Sequence, residues 1–262
     1  LAELTWMGMD WDEGPDRTGP CTPYRQSERR ARYEAALVTL VEAGRAYPCF
    51  CSRAEVAAAA SAPHAGEEGP RYGGRCRDLS VGERETRAVE RPPAWRFRVD
   101  PGSVAFEDGV HGPCSFDPSE QVGDFVISRA DGVPAYQLAV VVDDAAMGIT
   151  DIVRGDDLLP STARQILLFS ALNLPVPRFA HVPLVVGSDG QRLAKRHGAL
   201  SLTDLAARGA DPRAIVGLLA SLSGLVPAGT RITPAELVAD FRLDRIPRTP
   251  ALLDPDELAR LG

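Results

Sequence analysis

The pattern of apolar residues changes near residue 200, and this change constrains the fold more than any other feature of the chain. Before that point, short apolar runs of strand character alternate with helical repeats, which is typical of an α/β body. After it, the pattern is helical only. Asp211, Thr233 and Asp254 each stand before a proline and so combine a helix cap with a first-turn proline. The sequence therefore predicts an α/β body followed by a small helical domain from about residue 203.

Spacing also predicts individual elements of the body. Apolar residues recur at helical intervals over Ser27–Ala43, and Gly44 ends that helix. A second helix is predicted from Ser161 or Thr162 to Leu172, while the apolar run 136–142 fits either helix or strand. Residues 52–93 are rich in alanine, glycine, proline and charge, so we expect an inserted loop region there. Strands are predicted over four segments: 94–99, 124–129, 149–153 and 182–186.

Composition narrows the class of protein. The 262 residues are 44% hydrophobic and 25% charged, as in an ordinary soluble protein. No apolar run approaches the roughly 18 residues of a membrane helix, and the first residues are not a signal peptide, so we expect a cytoplasmic protein without membrane contact. The net charge of -7 argues against a surface coated with positive potential. Because the chain opens on an apolar stretch without an initiator methionine, we expect further sequence upstream of Leu1.

Lysine is almost absent from the chain. Of 29 basic residues, 28 are arginine and one is Lys195. An arginine fork cannot replace a compact, flexible ammonium at every site, so a lone lysine in such a chain is a candidate functional residue. Lys195 follows the predicted strand 182–186 and the turn-forming residues 187–190, which places it on a loop. Composition alone leaves open whether Lys195 is functional or is a surface lysine that remains by chance.

Three of the five cysteines form a set. Cys49 and Cys51 are separated by one residue, and Cys76 follows after a glycine-containing turn that also holds Tyr72. A disulfide framework is not expected in a reducing compartment, whereas zinc takes four ligands and favours thiolates. The sequence therefore predicts a structural zinc site whose fourth ligand is Tyr72, with His64 or a water as the alternative.

Two blocks of the chain resemble a known family. Residues 136–144 and 147–158 closely resemble the glutamate-binding region of class I glutamyl-tRNA synthetases, and residues 11–15, 24–27 and the cysteine-tyrosine set resemble the same family in the same order. The resemblance implies a class I synthetase Rossmann-like catalytic domain with an inserted zinc-binding, acceptor-type subdomain and a small C-terminal helical domain. It divides the chain into residues 1–48 and 121–202 for the catalytic domain with its KMSKS-like loop, 49–120 for the insertion, and 203–262 for the helical domain.

The resemblance also implies what each site residue does. Lys195, with Arg192 and Arg196, would bind ATP, and Mg²⁺ would accompany the nucleotide rather than occupy a protein cage. Tyr136 and Arg154 would bind glutamate, and an arginine suits this task because its fork can hold a carboxylate through two parallel hydrogen bonds. The implied zinc ligands are Cys49, Cys51, Tyr72 and Cys76.

The implied reaction is attack of the glutamate α-carboxylate on the α-phosphorus of ATP, which gives glutamyl-adenylate and pyrophosphate, followed by transfer to RNA. The family's His-x-Gly-His phosphate-binding turn has no counterpart here, so we expect it upstream of Leu1. Because the chain ends soon after its first helical units, it resembles the shorter branch of the family, which transfers glutamate to the queuosine base in the anticodon of tRNA(Asp). The alternatives are a fragment of an ordinary glutamyl-tRNA synthetase, which charges the 3' end of tRNA(Glu), and a catalytically inactive, zinc-stabilised RNA-binding module. We expect a monomer.

Overall fold

Two larger sheets, a short two-stranded sheet and the helices packed against them form the α/β part of the described residues. The computed structural model describes residues 1–59, 71–187, 189–190 and 201–253. Its helices are α1 (Ala2–Trp6), α2 (Arg30–Glu42), α3 (Arg53–Ala59), α4 (Val81–Glu90), α5 (Pro118–Gln121), α6 (Tyr136–Ala146), α7 (Leu159–Ala171), α8 (Leu202–Ala207), α9 (Pro212–Leu222) and α10 (Pro234–Val238). Its strands are β1 (Ala46–Cys49), β2 (Ala94–Phe97), β3 (Val104–Asp108), β4 (Gly112–Phe116), β5 (Val126–Ser128), β6 (Asp151–Gly155), β7 (Arg178–Val182), β8 (Val185–Val186) and β9 (Ala251–Leu252).

The first sheet is antiparallel and has the order β1-β2-β5. The second is mixed and has the order β4-β3-β7-β6, in which β3 and β4 form a hairpin while β7 runs parallel to both β3 and β6. The carboxyl ends of β3, β7 and β6 therefore lie along one edge. Ligands of open α/β sheets bind at such an edge, so this is where a site is expected.

The main core lies between α2, α6, α7 and both sheets. Leu40 from α2, Leu138 from α6 and Leu168 from α7 are buried there together with Phe97 and Phe179 from the two sheets. Both faces of α6 are used, because its buried residues include polar as well as apolar ones. This core fixes α6 against the sheets and so places its first residue, Tyr136.

A second, smaller cluster joins α1 to the helices that follow residue 201. Met7 packs with Leu205, Ile215 and Val216, and the Glu3 carboxylate accepts hydrogen bonds from the backbone and hydroxyl of Thr203. The first turn of the chain is therefore held against its helical end.

The structure confirms most of the predicted elements within a few residues. The run 136–142, which the sequence left open, is helical, and Gly44 and Asn173 adopt the positive φ expected where a helix stops. The predicted caps Asp211 and Thr233 accept backbone hydrogen bonds at the starts of α9 and α10, whereas Asp254 lies outside the described residues. The predicted strand 182–186 is divided between the end of β7 and β8.

The prediction of an inserted loop over 52–93 was wrong for two segments. Residues 53–59 and 81–90 form α3 and α4. Neither helix buries a residue, so a search for apolar periodicity could not find them. A signal was nevertheless present in α4, because Ser80 and Glu83 form a capping box.

The strands of both sheets come from either side of the expected domain boundaries near residues 49 and 121. The division of the chain into domains stays a prediction. Among the residues that the structure describes, no helix is long and apolar enough to cross a membrane.

Candidate active site

Three polar side chains meet at the carboxyl edge of the mixed sheet. Asp108 ends β3, while Arg154 and His181 are register partners near the ends of β6 and β7. His181 is fully buried and Asp108 is nearly so. The sequence alone places these residues 27 and 73 positions apart along the chain, and only the strand order brings them together.

Hydrogen bonds link the three residues into a chain. His181 Nδ1 lies 2.6 Å from Asp108 Oδ2, and Arg154 Nε donates to His181 Nε2 over 3.0 Å. Arg154 Nη2 also donates to the hydroxyl of Thr162 over 2.9 Å, and the guanidinium lies over the ring of Phe179. The Nε and Nη2 atoms of the Arg154 guanidinium are therefore held in place by hydrogen bonds within the protein.

The predicted glutamate-binding pair is brought together. Tyr136, the first residue of α6, is half-exposed and lies close enough to Arg154 to affect the pKa of the guanidinium. Burial lowers the pKa of Arg154, and Tyr136 and Asp144 oppose that shift. Burial raises the pKa of Asp144 from 3.8 to about 6, although the Arg154 charge acts in the other direction. An arginine that is partly removed from water beside a phenol can bind a carboxylate strongly, because little solvent screens the pair.

A buried ion pair anchors α6 behind this site. Arg29 Nε donates to Asp143 Oδ1 over 2.6 Å, and the Tyr33 hydroxyl donates to the same carboxylate. Burial and the Asp143 charge raise the pKa of Tyr33 to about 12. Asp143 is thus a structural acid, whereas the adjacent Asp144 faces the Arg154 side.

The three cysteines of the predicted metal site also meet. The Sγ atoms of Cys49, Cys51 and Cys76 all lie within 4.8 Å of one another, and Cys51 and Cys76 are separated by 3.6 Å. This is far beyond the roughly 2.05 Å of a disulfide. The Tyr72 hydroxyl oxygen lies 3.4 Å from Cys49 Sγ and 3.8 Å from Cys51 Sγ, and it accepts the backbone N–H of Cys76.

These distances fit the donor shell of a tetrahedral metal ion. Zn–S bonds of about 2.3 Å in a tetrahedron place two sulfurs about 3.8 Å apart, and a Zn–O bond of about 2.0 Å gives an O–S distance of about 3.5 Å. Arg96 donates to Cys49 Sγ over 3.3 Å and stacks on the Tyr72 ring, and Arg87 lies 3.8 Å from Cys76 Sγ. These cations offset the negative charge that three thiolates bring to a divalent ion. The three cysteines can therefore hold a metal, and the Tyr72 hydroxyl lies at ligand-to-ligand distance from two of them.

A cavity of about 1150 Å³ opens between the cysteine cluster and the start of α6. Tyr136 lies on its wall next to Gln137, and four arginines reach it from different elements. They are Arg53, Arg96, Arg129 and Arg164. Gln137, Ser161 and Gln165 form a buried hydrogen-bonded row behind this wall. Asp124 and Asp131 also line the cavity, and Arg129 pairs with Asp131, so its four arginines exceed its acids by two. A large cavity with this excess of positive charge can take an anionic partner such as RNA.

Part of the predicted site cannot be placed. Lys195, Arg192 and Arg196, the predicted ATP-binding residues, and His64, the competing metal ligand, lie outside the described residues. Before this segment the chain leaves the mixed sheet at the end of β7 and forms β8, which pairs in parallel with β9 in a separate two-stranded sheet.

Comparison with known proteins decides the family. The model of the class I tRNA synthetases (E and Q), catalytic domain, matches residues 1–259. The chain belongs to this family. As a class I synthetase it has the expected α/β fold, and the prediction of an ATP-dependent ligase of the aminoacyl-tRNA family is confirmed at this level.

Several relatives of this class I synthetase carry more specific names. Glutamyl-Q tRNA(Asp) synthetases of Symbiobacterium thermophilum and Nitratidesulfovibrio vulgaris are 52% and 45% identical over the whole chain, which spans 81% of each of them. Glutamate–tRNA ligase 2 of Syntrophus aciditrophicus is 42% identical over 98% of the chain, which spans 53% of it. A crystal structure of a glutamate tRNA ligase from Elizabethkingia meningosepticum, in complex with its amino acid, matches with a TM-score of 0.81 at 27% identity over 99% of the chain and 57% of that protein.

Sequence reasoning missed the residues that support Arg154. None of His181, Asp108 and Thr162 was predicted as a site residue. A helical or strand pattern gives no sign that residues so far apart share a site. No strand was predicted over 104–108, and His181 comes before the predicted strand 182–186, so the pattern gave no signal for either residue.

Proposed function

We propose that this class I synthetase activates glutamate with ATP and transfers the glutamyl group to the queuosine base in the anticodon of tRNA(Asp). The first step joins the glutamate α-carboxylate to the α-phosphorus of ATP and releases pyrophosphate. In such a reaction the protein acts chiefly by positioning the reactants and stabilising charge. The family implies ATP, glutamate and tRNA as partners, while the choice of tRNA(Asp) is the finer part of the proposal.

The observation that carries the proposal is the fixed guanidinium of Arg154 beside Tyr136. Glutamate brings two carboxylates and an ammonium group. Arg154 can bind one carboxylate through N–H bonds that the protein does not use, and the Tyr136 hydroxyl can contact the same substrate. The cavity that starts at Tyr136 can receive the RNA that accepts the glutamyl group.

We assign ATP binding to Lys195 together with Arg192 and Arg196, on the strength of their resemblance to the family's lysine-containing loop. A lysine ammonium at the phosphates would stabilise charge as pyrophosphate leaves. Mg²⁺ would accompany ATP. Lys195→Ala should abolish glutamate-dependent pyrophosphate exchange; exchange at the wild-type rate would exclude this assignment.

The queuosine acceptor is supported by the names of the more similar relatives. The glutamyl-Q tRNA(Asp) synthetases of S. thermophilum and N. vulgaris are 52% and 45% identical to this chain, whereas the glutamate–tRNA ligase of S. aciditrophicus is 42% identical. The latter group, with the E. meningosepticum structure, supports the alternative of an ordinary glutamate–tRNA ligase. We propose a monomer that binds the anticodon stem-loop.

One experiment separates these functions. The full-length protein is incubated with glutamate, ATP and labelled pyrophosphate, first without tRNA. Exchange without tRNA supports the glutamyl-Q function, and exchange only after addition of tRNA(Glu) favours the ordinary ligase. No exchange under either condition would favour an inactive RNA-binding module. Transfer of labelled glutamate to tRNA(Asp) that contains queuosine, but not to tRNA(Asp) that lacks it, is the expected second result.

We also propose that Cys49, Cys51, Tyr72 and Cys76 hold a structural Zn²⁺. The donor set of three sulfurs and one oxygen is closed and tetrahedral, which is typical of structural rather than catalytic zinc. Bound there, the ion would tie β1 to the segment that returns through Tyr72 and thereby form the inserted subdomain.

A further inference from the structure

His181 is buried in direct contact with the residue proposed to bind glutamate. Its Nε2 atom lies 3.0 Å from Arg154 Nε, and its Nδ1 atom lies 2.6 Å from Asp108 Oδ2. Its ring is fully buried and stacks on Phe179. Burial of an imidazole with both nitrogens engaged is a costly arrangement unless each nitrogen has the correct partner.

The geometry fixes the tautomer of this imidazole. An arginine side chain donates hydrogen bonds and accepts none, so His181 Nε2 must be the acceptor and must carry no proton. The ring proton is therefore on Nδ1 and is donated to Asp108. Burial lowers the pKa of His181, and the Arg154 cation adds to this effect, which keeps the ring neutral.

Asp108 is itself held as an anion. Although burial alone would raise its pKa, hydrogen bonds from the backbone of His111, the His181 ring and the backbone of Val110 lower it. A carboxylate with fixed donors cannot rotate, so it holds the imidazole in one orientation. Three adjacent strands therefore carry a charged Asp108, a neutral His181 and a charged Arg154, and His181 links the other two by hydrogen bonds.

We propose that His181, oriented by Asp108, is the positioning residue that holds Arg154 for glutamate binding. This inference rests on the proposed contact between Arg154 and glutamate. Without an acceptor at His181 Nε2, the Nε–H bond of Arg154 would be buried and unsatisfied, and the guanidinium would turn to find another partner. A misplaced fork loses its two-point contact with a carboxylate, so glutamate affinity falls while ATP affinity is kept.

Two substitutions of His181 separate its two contacts. In His181→Gln the side-chain carbonyl reaches the place of Nε2 and can accept from Arg154, but the contact with Asp108 is lost. In His181→Asn the amide replaces Nδ1 and can donate to Asp108, but nothing accepts from Arg154 Nε. The constants are measured in glutamate-dependent pyrophosphate exchange with the full-length protein, together with the melting temperature.

We expect His181→Asn to raise the KM for glutamate by about 10- to 100-fold, which is the loss of a hydrogen bond to a charged group. The KM for ATP should stay within about twofold of the wild-type value, and kcat at saturating glutamate should change little. His181→Gln should recover most of the glutamate affinity. Equal losses in both variants, with falls in kcat and melting temperature, would mean a merely structural role and overturn the proposal.

Two further variants keep the outcome decisive. Arg154→Ala must raise the KM for glutamate, and Arg178→Ala, at the other end of the same strand pair and bonded to Asp151, must not. If Arg154→Ala leaves this KM unchanged, the proposed glutamate contact fails and His181 fails with it. If Arg154→Ala raises it but His181→Asn does not, only the positioning role is overturned. Should neither His181 variant fold, Thr162→Val removes the hydroxyl that accepts from Arg154 and lies 3.2 Å from His181 Nε2. An unchanged KM for glutamate in this variant would show that the hydrogen-bonded position of Arg154 does not set glutamate affinity, and it would overturn the proposal.

Discussion

Asp144 shows how one residue near the site can affect stability. It lies beside Asp143 on α6, yet the two carboxyl groups have different surroundings: Asp143 accepts from Arg29 and Tyr33, whereas burial raises the pKa of Asp144 to about 6. The neutral form of Asp144 is favoured in the folded protein, because its charged form is poorly solvated there.

This raised pKa predicts a pH dependence of stability. Because the folded value of about 6 exceeds the ordinary 3.8, the contribution of Asp144 is fully present below pH 4 and is lost as pH rises through 6. The loss should be well below about 3 kcal/mol, because water still screens this partly buried carboxylate. Asp144→Asn should remove this slope and be more stable than the wild type at pH 7. Chemical denaturation at a series of pH values measures it.

Asp151 provides the control for this measurement. It is exposed, and its hydrogen bond with Arg178 lowers its pKa to about 2. Its effect has the opposite sign, because the stability that it contributes is present above pH 4 and is lost as pH falls. Asp151→Asn should therefore leave the slope between pH 4 and 6 unchanged; loss of that slope in both variants would assign it to another group.

At the scale of elements, helix α9 is in close backbone contact with the loop at Thr230 that follows it. A Cβ atom at Gly217 would lie 1.7 Å from the carbonyl oxygen of Thr230. The neighbouring backbone N–H of Ile232 also donates to the Arg213 carbonyl in α9. A glycine in the middle of a helix normally destabilises it. At position 217 the missing side chain instead allows the backbone of α9 to approach the backbone at Thr230 closely.

Gly217→Ala should therefore destabilise the protein, although alanine is the better helix former. We expect a loss of about 2 kcal/mol or more in the free energy of unfolding, because the obstacle is backbone and not a flexible side chain. Gly82→Ala in α4 is the matched control, since nothing lies within 4 Å of its Cβ, and it should be neutral or stabilising by up to about 1 kcal/mol. Equal effects of the two substitutions would contradict the close packing.

The cysteine cluster ties β1 to the segment that contains Tyr72 and Cys76. Cys49→Ser should lower the zinc content of the purified protein and its free energy of unfolding by more than about 3 kcal/mol, because metal binding and local folding are coupled. Cys114→Ser, in β4 and outside the cluster, should change neither quantity appreciably. Elemental analysis and denaturation test this, and a Cys49→Ser protein with full zinc content would exclude the site.

At the scale of the whole molecule, the start of the chain is packed against the helices beyond residue 201. Met7 is 7% exposed in this contact, whereas Met9, two residues later, is 46% exposed. Met7→Ala should lower the free energy of unfolding by about 2 kcal/mol or more, and Met9→Ala by less than about 0.5 kcal/mol. If both variants melt like the wild type, α1 does not contribute to stability through this contact.

The sequence was informative where a residue's chemistry is local. Tyr136 and Arg154 stand in two neighbouring blocks, and the cysteines and Tyr72 lie within 28 residues of one another, so motif and spacing predicted both groups and the structure places the members of each group close together. His181 and Asp108 could not be found in this way, because their contact depends on the order β3-β7-β6. Helices α3 and α4 were missed for a different reason, since they bury no residue and so leave no apolar stripe to detect.

The parallel pairing of β6 with β7 has a consequence for how the protein matures. Arg154 and His181 are opposed in the register of these strands, so a slip of one strand by one residue would separate them and turn the side chain on the shifted strand to the other face. The proposed amino-acid pocket therefore forms only when the two strands pair in the correct register. Free glutamate would favour the correctly zipped chain by mass action, so the substrate itself would help select the right register during folding.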